Sequence, residues 1–191
     1  MSTLLKLTVP EYDLMVESGA FDPLDRRIEL IFGELHSMNP AGPIHDDYIG
    51  FLNHWSIENT SRKAVSVRVQ SGLSLPDLDS RPEPDVLWVK PRRYLDRHPQ
   101  SQDVLLLIEV SDSSIQYDRV LKSELYARAR ILEFWVVDVM DRCIHVHREP
   151  TEGGYSQVAS YGVGSRIAPN CQPEANLLLS DLFAPDPDVN A

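Results

Sequence analysis

The fold is decided by one stretch, Val104-Leu105-Leu106-Leu107-Ile108-Glu109-Val110, which is apolar on both faces except for a single acid. Such a run is typical of a central strand that is covered on both sides. A second apolar run, Val86-Leu87-Trp88-Val89, follows Pro84-Asp85 and predicts another buried strand. Carboxylates are rarely buried unless they are paired or bind a metal. Asp85 and Glu109 therefore indicate a divalent-metal site at one end of a sheet.

The rest of the chain predicts an α/β fold around these two strands. Thr8 as N-cap, with Glu11 three residues later, predicts a helix that ends near Glu17. Apolar periodicity predicts further elements: a hairpin over 27–38, a helix over 43–58, a strand over 65–69, a helical stripe over 120–129, a hairpin over 133–147 and an edge strand over 155–161. We expect a single domain over 1–191 with a mixed central sheet flanked by helices, and a disordered tail at about 184–191.

Composition narrows the class of protein. No apolar run reaches the roughly 18 residues that span a bilayer, and residues 1–6 lack a signal-peptide pattern, so we expect a cytoplasmic protein and no membrane partner. The net charge of −11 counts against a simple nucleic-acid binder, although acids that hold Mg²⁺ attract phosphate once the metal is bound. Cys143 and Cys171 lack the spacing of a zinc site and are interpreted as small core residues.

Two carboxylates and a lysine would suit the hydrolysis of a phosphodiester. Mg²⁺ or Mn²⁺ held by Asp85 and Glu109 could position a water and neutralise charge on phosphorus. Lys122 follows on the next predicted helix and could orient that water or stabilise the developing charge. Asp118 lies four residues before Lys122, so a surface ion pair between them is the competing interpretation.

The order of several motifs resembles the Uma2 family, a group of endonucleases in the PD-(D/E)xK restriction-endonuclease-like superfamily. The motifs that carry the resemblance are Glu29-Leu30-Ile31-x-Gly33-Glu34-Leu35, Pro40-Ala41 followed by His45, Pro82-Glu83-Pro84-Asp85-Val86, Glu109-Val110-Ser111 with Asp118-Arg119, Lys122 and Tyr126, and Glu133-Phe134-Trp135-Val136-Val137-Asp138. Together they cover the chain from about Thr8 to Phe183.

The resemblance implies roles for individual residues. Asp85 would be the motif aspartate and Glu109 the second metal-binding acid. The motif lysine would stand two residues after that acid, where this chain has Ser111, so the resemblance points to Lys122 on the following helix instead. Glu29 would be a supporting acid, with a surface position in the hairpin as the alternative.

His45 is a further candidate for the site. It opens a predicted helix just after a loop rich in proline and glycine, and its imidazole could shuttle a proton or contact phosphate near neutral pH. A capping or solvent-exposed histidine is the alternative.

These observations lead to the hypothesis of a metal-dependent endonuclease that hydrolyses DNA. A homodimer would suit such an endonuclease, since a dimer with two active sites cuts both DNA strands more easily than a monomer with one. The main alternative is a catalytically inactive module that keeps the nuclease fold and binds a partner, which the acidic balance and Ser111 favour. A third possibility is a metal-dependent hydrolase of small phosphorylated molecules.

Overall fold

A computed structural model describes residues 4–24, 26–38, 42–111 and 115–184, without the side chains of 115–119. In chain order these residues form α1 (Val9–Glu17), β1 (Ile28–Ile31), β2 (Glu34–Ser37), α2 (Pro43–Glu58), β3 (Ser66–Val69), β4 (Val86–Val89), β5 (Val104–Ser111), α3 (Ile115–Arg128), β6 (Glu133–Asp138), β7 (Cys143–Thr151), β8 (Gly154–Gly162), β9 (Arg166–Ile167), β10 (Leu177–Leu178) and α4 (Leu179–Leu182). Apart from residue 184, the tail that the sequence predicts to be disordered lies outside the described residues.

The central sheet has six strands in the order β3-β4-β5-β6-β7-β8. Neighbouring strands are antiparallel except β5 and β6, which are parallel. A parallel pair needs a crossover connection, and α3 provides it. The mixed sheet with flanking helices confirms the predicted fold class, and β8 is an edge strand as predicted.

Helix α2 covers one face of the sheet, and its tryptophan is central to the packing there. Trp55 stacks on Trp88 of β4 and on Trp135 of β6, with ring centroids 5.3 and 6.0 Å apart. The indole of Trp88 donates a hydrogen bond of 2.8 Å to Ser56 Oγ of α2, so its polar atom is satisfied in the core. Helix α2 spans the predicted residues 43–58.

Helix α3 covers the opposite face. Its buried Leu125 and Tyr126 pack in one cluster with Leu107 of β5 and Phe134 of β6. Residues on β5 alternate between the two faces, so Glu109 shares the α3 face with Leu107. The acid at position 109 therefore points toward the helix that carries Lys122.

Local sequence explains how the N-terminal segments reach this face. Helix α1 begins with the predicted capping box, in which the Thr8 N–H donates a hydrogen bond of 2.8 Å to Glu11 Oε2. The β1–β2 hairpin turns at Phe32 and Gly33, which both have positive φ (51° and 81°), as a tight two-residue hairpin turn requires. The Arg81 N–H donates to Leu30 O, which links this hairpin to the segment that precedes Asp85.

Within the described part of the chain, no helix has both the length and the apolar character needed to cross a bilayer. The cytoplasmic location stays a prediction.

Candidate active site

The register of β4 and β5 brings Asp85 and Glu109 together. Val86 pairs with Ile108 in this antiparallel ladder, so the residue before β4 lies beside Glu109. The Asp85 N–H lies 3.3 Å from Glu109 Oε2 and donates to it. In return, the Val110 N–H donates to Asp85 Oδ2 at 2.8 Å. Both carboxylates are thus held by backbone N–H groups at the same end of the sheet.

Lys122 reaches these acids from α3. Its Nζ lies 3.2 Å from Glu109 Oε1 and 2.7 Å from Glu29 Oε2. The residue is only 7% exposed, so the ammonium is almost entirely removed from water. The competing ion pair with Asp118 involves a side chain outside the described set, whereas the contacts with Glu109 and Glu29 place Lys122 inside the cluster.

Glu29 is a buried member of the cluster and not a surface residue of the hairpin. It lies on β1 and is 2% exposed. Its Oε1 accepts hydrogen bonds from Lys122 Nζ at 2.9 Å and from the Glu83 N–H at 2.7 Å. The second contact joins Glu29 to the Pro82-Glu83-Pro84 segment, so β1 and the approach to Asp85 are fixed relative to each other.

His45 approaches Asp85 from the opposite side of the cluster. It stands in the first turn of α2, and its Nε2 lies 3.3 Å from Asp85 Oδ2. The imidazole is mostly buried, with 14% of its side chain exposed. The structure therefore brings all five residues singled out from the sequence to one place: Asp85, Glu109, Lys122, Glu29 and His45.

Tyr126 is a member of the site to which the sequence analysis gave no role, although it stands among the motif residues. Its hydroxyl donates a hydrogen bond of 2.6 Å to Glu109 Oε1, and the residue is completely buried. Tyr126 follows Lys122 by four residues, so both side chains lie on the same face of α3. That spacing was the signal that could have found it.

The site concentrates negative charge in a buried place. Burial, together with the charges of Asp85 and Glu29, raises the pKa of Glu109 to about 7, although the Lys122 ammonium and the Tyr126 hydroxyl act in the opposite direction. Burial alone would favour a neutral Lys122, but the carboxylates of Glu109 and Glu29 outweigh it and raise the pKa of Lys122 above its usual range. Two carboxylates, Glu109 and Glu29, thus contact the Lys122 ammonium, and Asp85 adds a third negative charge beside Glu109.

This donor set suits a hard divalent cation. Asp85 and Glu109 offer carboxylate oxygens, which Mg²⁺ and Mn²⁺ prefer, and Mg²⁺ sites commonly use only one or two protein carboxylates. A divalent cation would also relieve the repulsion among the carboxylates that raises the pKa of Glu109. The residues present therefore fit the metal that the sequence suggested.

A family model matches residues 9–180 of the chain, and its description is Uma2, "Putative restriction endonuclease". The chain belongs to the Uma2 family. The match covers α1 through the first residues of α4, and so includes every residue of the cluster. Membership confirms the resemblance that the sequence motifs carry.

A solved structure shares the fold of this Uma2 protein. It is described as a "putative nuclease belonging to DUF820 from Anabaena variabilis", and it superposes with a TM-score of 0.69 over 93% of this chain and 98% of that one. Sequence identity is 15%, so the likeness concerns the fold alone. None of the curated proteins compared matches the chain.

Proposed function

We propose that this protein is a Mg²⁺- or Mn²⁺-dependent endonuclease that hydrolyses phosphodiester bonds in DNA. The observation that carries the proposal is the meeting of Asp85, Glu109 and Lys122 at one end of the sheet, even though Ser111 occupies the motif's usual lysine position. Family membership supports the same reaction class.

Asp85 and Glu109 would hold the metal. When bound, the ion would supply Lewis-acid stabilisation of the charge on the phosphate and a water of lowered pKa. The protein's part is to hold the two carboxylates in place, which the hydrogen bonds from Val110 N–H and Tyr126 Oη support. Such partners of ligand carboxylates orient them and tune their affinity for metal.

Lys122 would act as a fixed positive charge and not as a base. Its raised pKa keeps it protonated at neutral pH, so it has no lone pair to accept a proton from water. Glu29 and Glu109 hold the ammonium in one position, where it can orient the attacking water and stabilise the negative charge that develops on the phosphate oxygens. Glu29 is then a positioning residue that acts through Lys122.

His45 would assist at the edge of the site. Its contact with Asp85 orients the imidazole, and a partly exposed histidine can exchange protons with solvent or contact a phosphate oxygen.

An arginine cluster on the sheet edge supports a phosphate-bearing polymer as substrate. Arg68, Arg92 and Arg97 place their guanidinium groups 4.8–5.6 Å from the ring centroid of Tyr94. Arg68 lies on β3, opposite Leu87 and two residues before Gln70, whose N–H donates to Asp85 O. The ring of Tyr94 lies beyond the other end of β4 from Asp85, where its hydroxyl donates to Lys90 O, and Arg92 and Arg97 also form ion pairs with Asp96 and Asp103. Arg68, on the strand next to β4, is therefore the arginine that we expect to contact phosphate. Two such sites, brought together in a homodimer, would serve double-strand cleavage.

Cleavage of supercoiled plasmid and of short duplexes with Mg²⁺, Mn²⁺ or EDTA tests the proposal. We expect metal-dependent nicking or linearisation by the wild type and by Lys63→Ala, an exposed lysine outside the cluster. Asp85→Asn should lower the rate at least about 100-fold. Equal rates for the wild type and Asp85→Asn would contradict the assignment.

A binding module without catalysis is the second candidate, and Ser111 at the motif's lysine position is the observation that favours it. It would bind duplex DNA in a mobility-shift assay with Mn²⁺ or Ca²⁺ and leave plasmid intact under all metal conditions. A hydrolase of small phosphorylated molecules would instead cleave a chromogenic phosphodiester and ignore duplex DNA.

A further inference from the structure

A second cluster of ligand-type side chains lies at the turn that joins β6 to β7. Asp138 ends β6, and Cys143 and His145 lie at the start of β7. Asp138 pairs with Cys143 in the ladder, and alternation along β7 places His145 on the same face as Cys143. The hairpin therefore directs an oxygen, a sulfur and a nitrogen donor to one point.

The separations among these donors match those of a small tetrahedral site. His145 Nε2 lies 3.6 Å from Cys143 Sγ and 3.6 Å from Asp138 Oδ2, and one ligand atom of each residue lies within 4.8 Å of the others. A zinc ion with bonds of about 2.0–2.3 Å to nitrogen, oxygen and sulfur spaces its ligands at comparable distances. Little movement would be needed to bind one.

Neighbouring groups orient two of the ligands for this task. His145 Nδ1 lies 2.7 Å from Ser160 Oγ of β8, and a proton on Nδ1 donated to that hydroxyl leaves the lone pair on Nε2 facing the other donors. The Asp141 N–H donates to Asp138 Oδ1 at 2.9 Å, so Oδ2 is the oxygen that faces His145. Asp138 is 1% exposed, whereas Cys143 is only half-buried and does not serve as a core residue.

We propose that Asp138, Cys143 and His145 bind Zn²⁺ or a similar borderline transition metal. A thiolate, an imidazole and a carboxylate together suit zinc, whereas Mg²⁺ and Ca²⁺ select oxygen ligands alone. The described residues supply three ligands, fewer than the four of a closed structural zinc site. The site is thus chemically distinct from the all-oxygen pair Asp85 and Glu109.

The proposed site adjoins the active site without sharing a residue with it. Asp138 pairs with Ser111 in the parallel ladder, and the Val139 N–H donates to Ser111 O at 3.0 Å. Ser111 is two residues beyond Glu109 on β5. A metal at this place would fix the ends of β6 and β7 relative to each other.

Cobalt absorption tests the site directly. The reduced full-length protein is titrated with Co²⁺ in excess Mg²⁺, which occupies oxygen-only sites. We expect a thiolate-to-cobalt charge-transfer band and the intense visible bands of tetrahedral Co²⁺, saturating at one equivalent and abolished by Zn²⁺. Absence of a thiolate band in the wild type would overturn the proposal whatever the variants do.

Variants of Cys143 and His145, compared with two control variants, test the assignment of these ligands. Cys143→Ser should lose the charge-transfer band, and Cys171→Ser, the other cysteine, should keep it. His145→Gln should weaken Co²⁺ affinity at least tenfold, with circular dichroism as the check on folding. A band that survives Cys143→Ser or disappears with Cys171→Ser would contradict the proposal. Asp85→Asn should keep the band, so this result is separate from the fate of the nuclease proposal.

Discussion

The Nζ atom of Lys122 lies 3.2 Å from Glu109 Oε1, although the two residues belong to different elements and are separated by 13 positions in the chain. The parallel pairing of β5 and β6 makes this contact possible, because the crossover helix α3 must return over the face on which Glu109 lies. A positive charge carried by the helix thus stands beside the second acid, in a chain whose strand has serine at position 111. The contact explains how an altered motif could keep its chemistry.

Removing the charge of Lys122 should separate catalysis from metal binding. We expect Lys122→Met to lower the DNA cleavage rate at least about 100-fold, because the fixed charge near the phosphate is lost. Mn²⁺ affinity should stay equal or rise when it is compared at a pH at which Glu109 is ionised in both proteins, since a positive charge beside this ligand is removed. Calorimetry and plasmid cleavage on the same preparation check this. Loss of both properties in a folded variant would show that Lys122 only maintains the structure.

The hydroxyl of Tyr126 should tune the metal site through Glu109. Tyr126→Phe removes the 2.6 Å hydrogen bond to Glu109 Oε1, which favours the ionised carboxylate. We expect Mn²⁺ affinity to fall about tenfold, a typical effect for a group that orients a metal ligand. Tyr155→Phe is the control, because its hydroxyl donates to Ile131 O away from the cluster. Equal Mn²⁺ affinities for the two variants would contradict the role given to Tyr126.

Mn²⁺ binding should depend on pH around neutrality. With a pKa of about 7, Glu109 in the metal-free protein is increasingly protonated as the pH falls below that value, and the proton competes with the metal. We expect affinity to fall by up to about tenfold for each pH unit below 7 and to level off above it. Calorimetric titrations with Mn²⁺ in two buffers of different ionisation enthalpy should detect the proton that Glu109 releases on metal binding at pH 6.5. An affinity that is constant from pH 6 to 8 would contradict the ligand role of Glu109.

The arginines near Tyr94 should contribute to DNA affinity through phosphate contacts. We expect Arg68→Gln to weaken duplex binding at low salt and to reduce the slope of log affinity against log salt by about 1. Arg166→Gln is the matched control, because β9 packs with α2 on the opposite face of the sheet. Binding is measured by fluorescence anisotropy with Ca²⁺ in place of a catalytic metal. An unchanged slope for Arg68→Gln would place the DNA elsewhere.

Much of the fold follows from local sequence patterns. The run Val104–Val110 is apolar on both faces, and it became the β5 strand between two helical layers. The capping residues at Thr8 and Glu11 defined the start of α1, and the periodicity of 43–58 defined α2. These elements could be predicted because periodicity and capping depend on residues close in the chain.

The site could be predicted only in part, because its members come from five elements or their flanking loops. Asp85 and Glu109 stand out as acids in apolar runs, but spacing alone leaves Lys122 between a role in the site and an ion pair with Asp118. The burial of Glu29 depends on how β1 packs against the 82–84 segment. The spacing of Cys143 and Cys171 fits no zinc motif, so the sequence predicts that Cys143 is a core residue. The strand register, which no local pattern specifies, places it beside His145 and Asp138.

Crystals soaked in Mn²⁺ and measured at the manganese absorption edge test the central claim most directly. We expect an anomalous peak between Asp85 and Glu109, with carboxylate oxygens at about 2.1 Å and the Lys122 ammonium adjacent. The peak should be absent from Asp85→Asn crystals. A fully occupied manganese site elsewhere, with no peak between Asp85 and Glu109, would contradict the assignment of these two acids as the metal ligands of a nuclease.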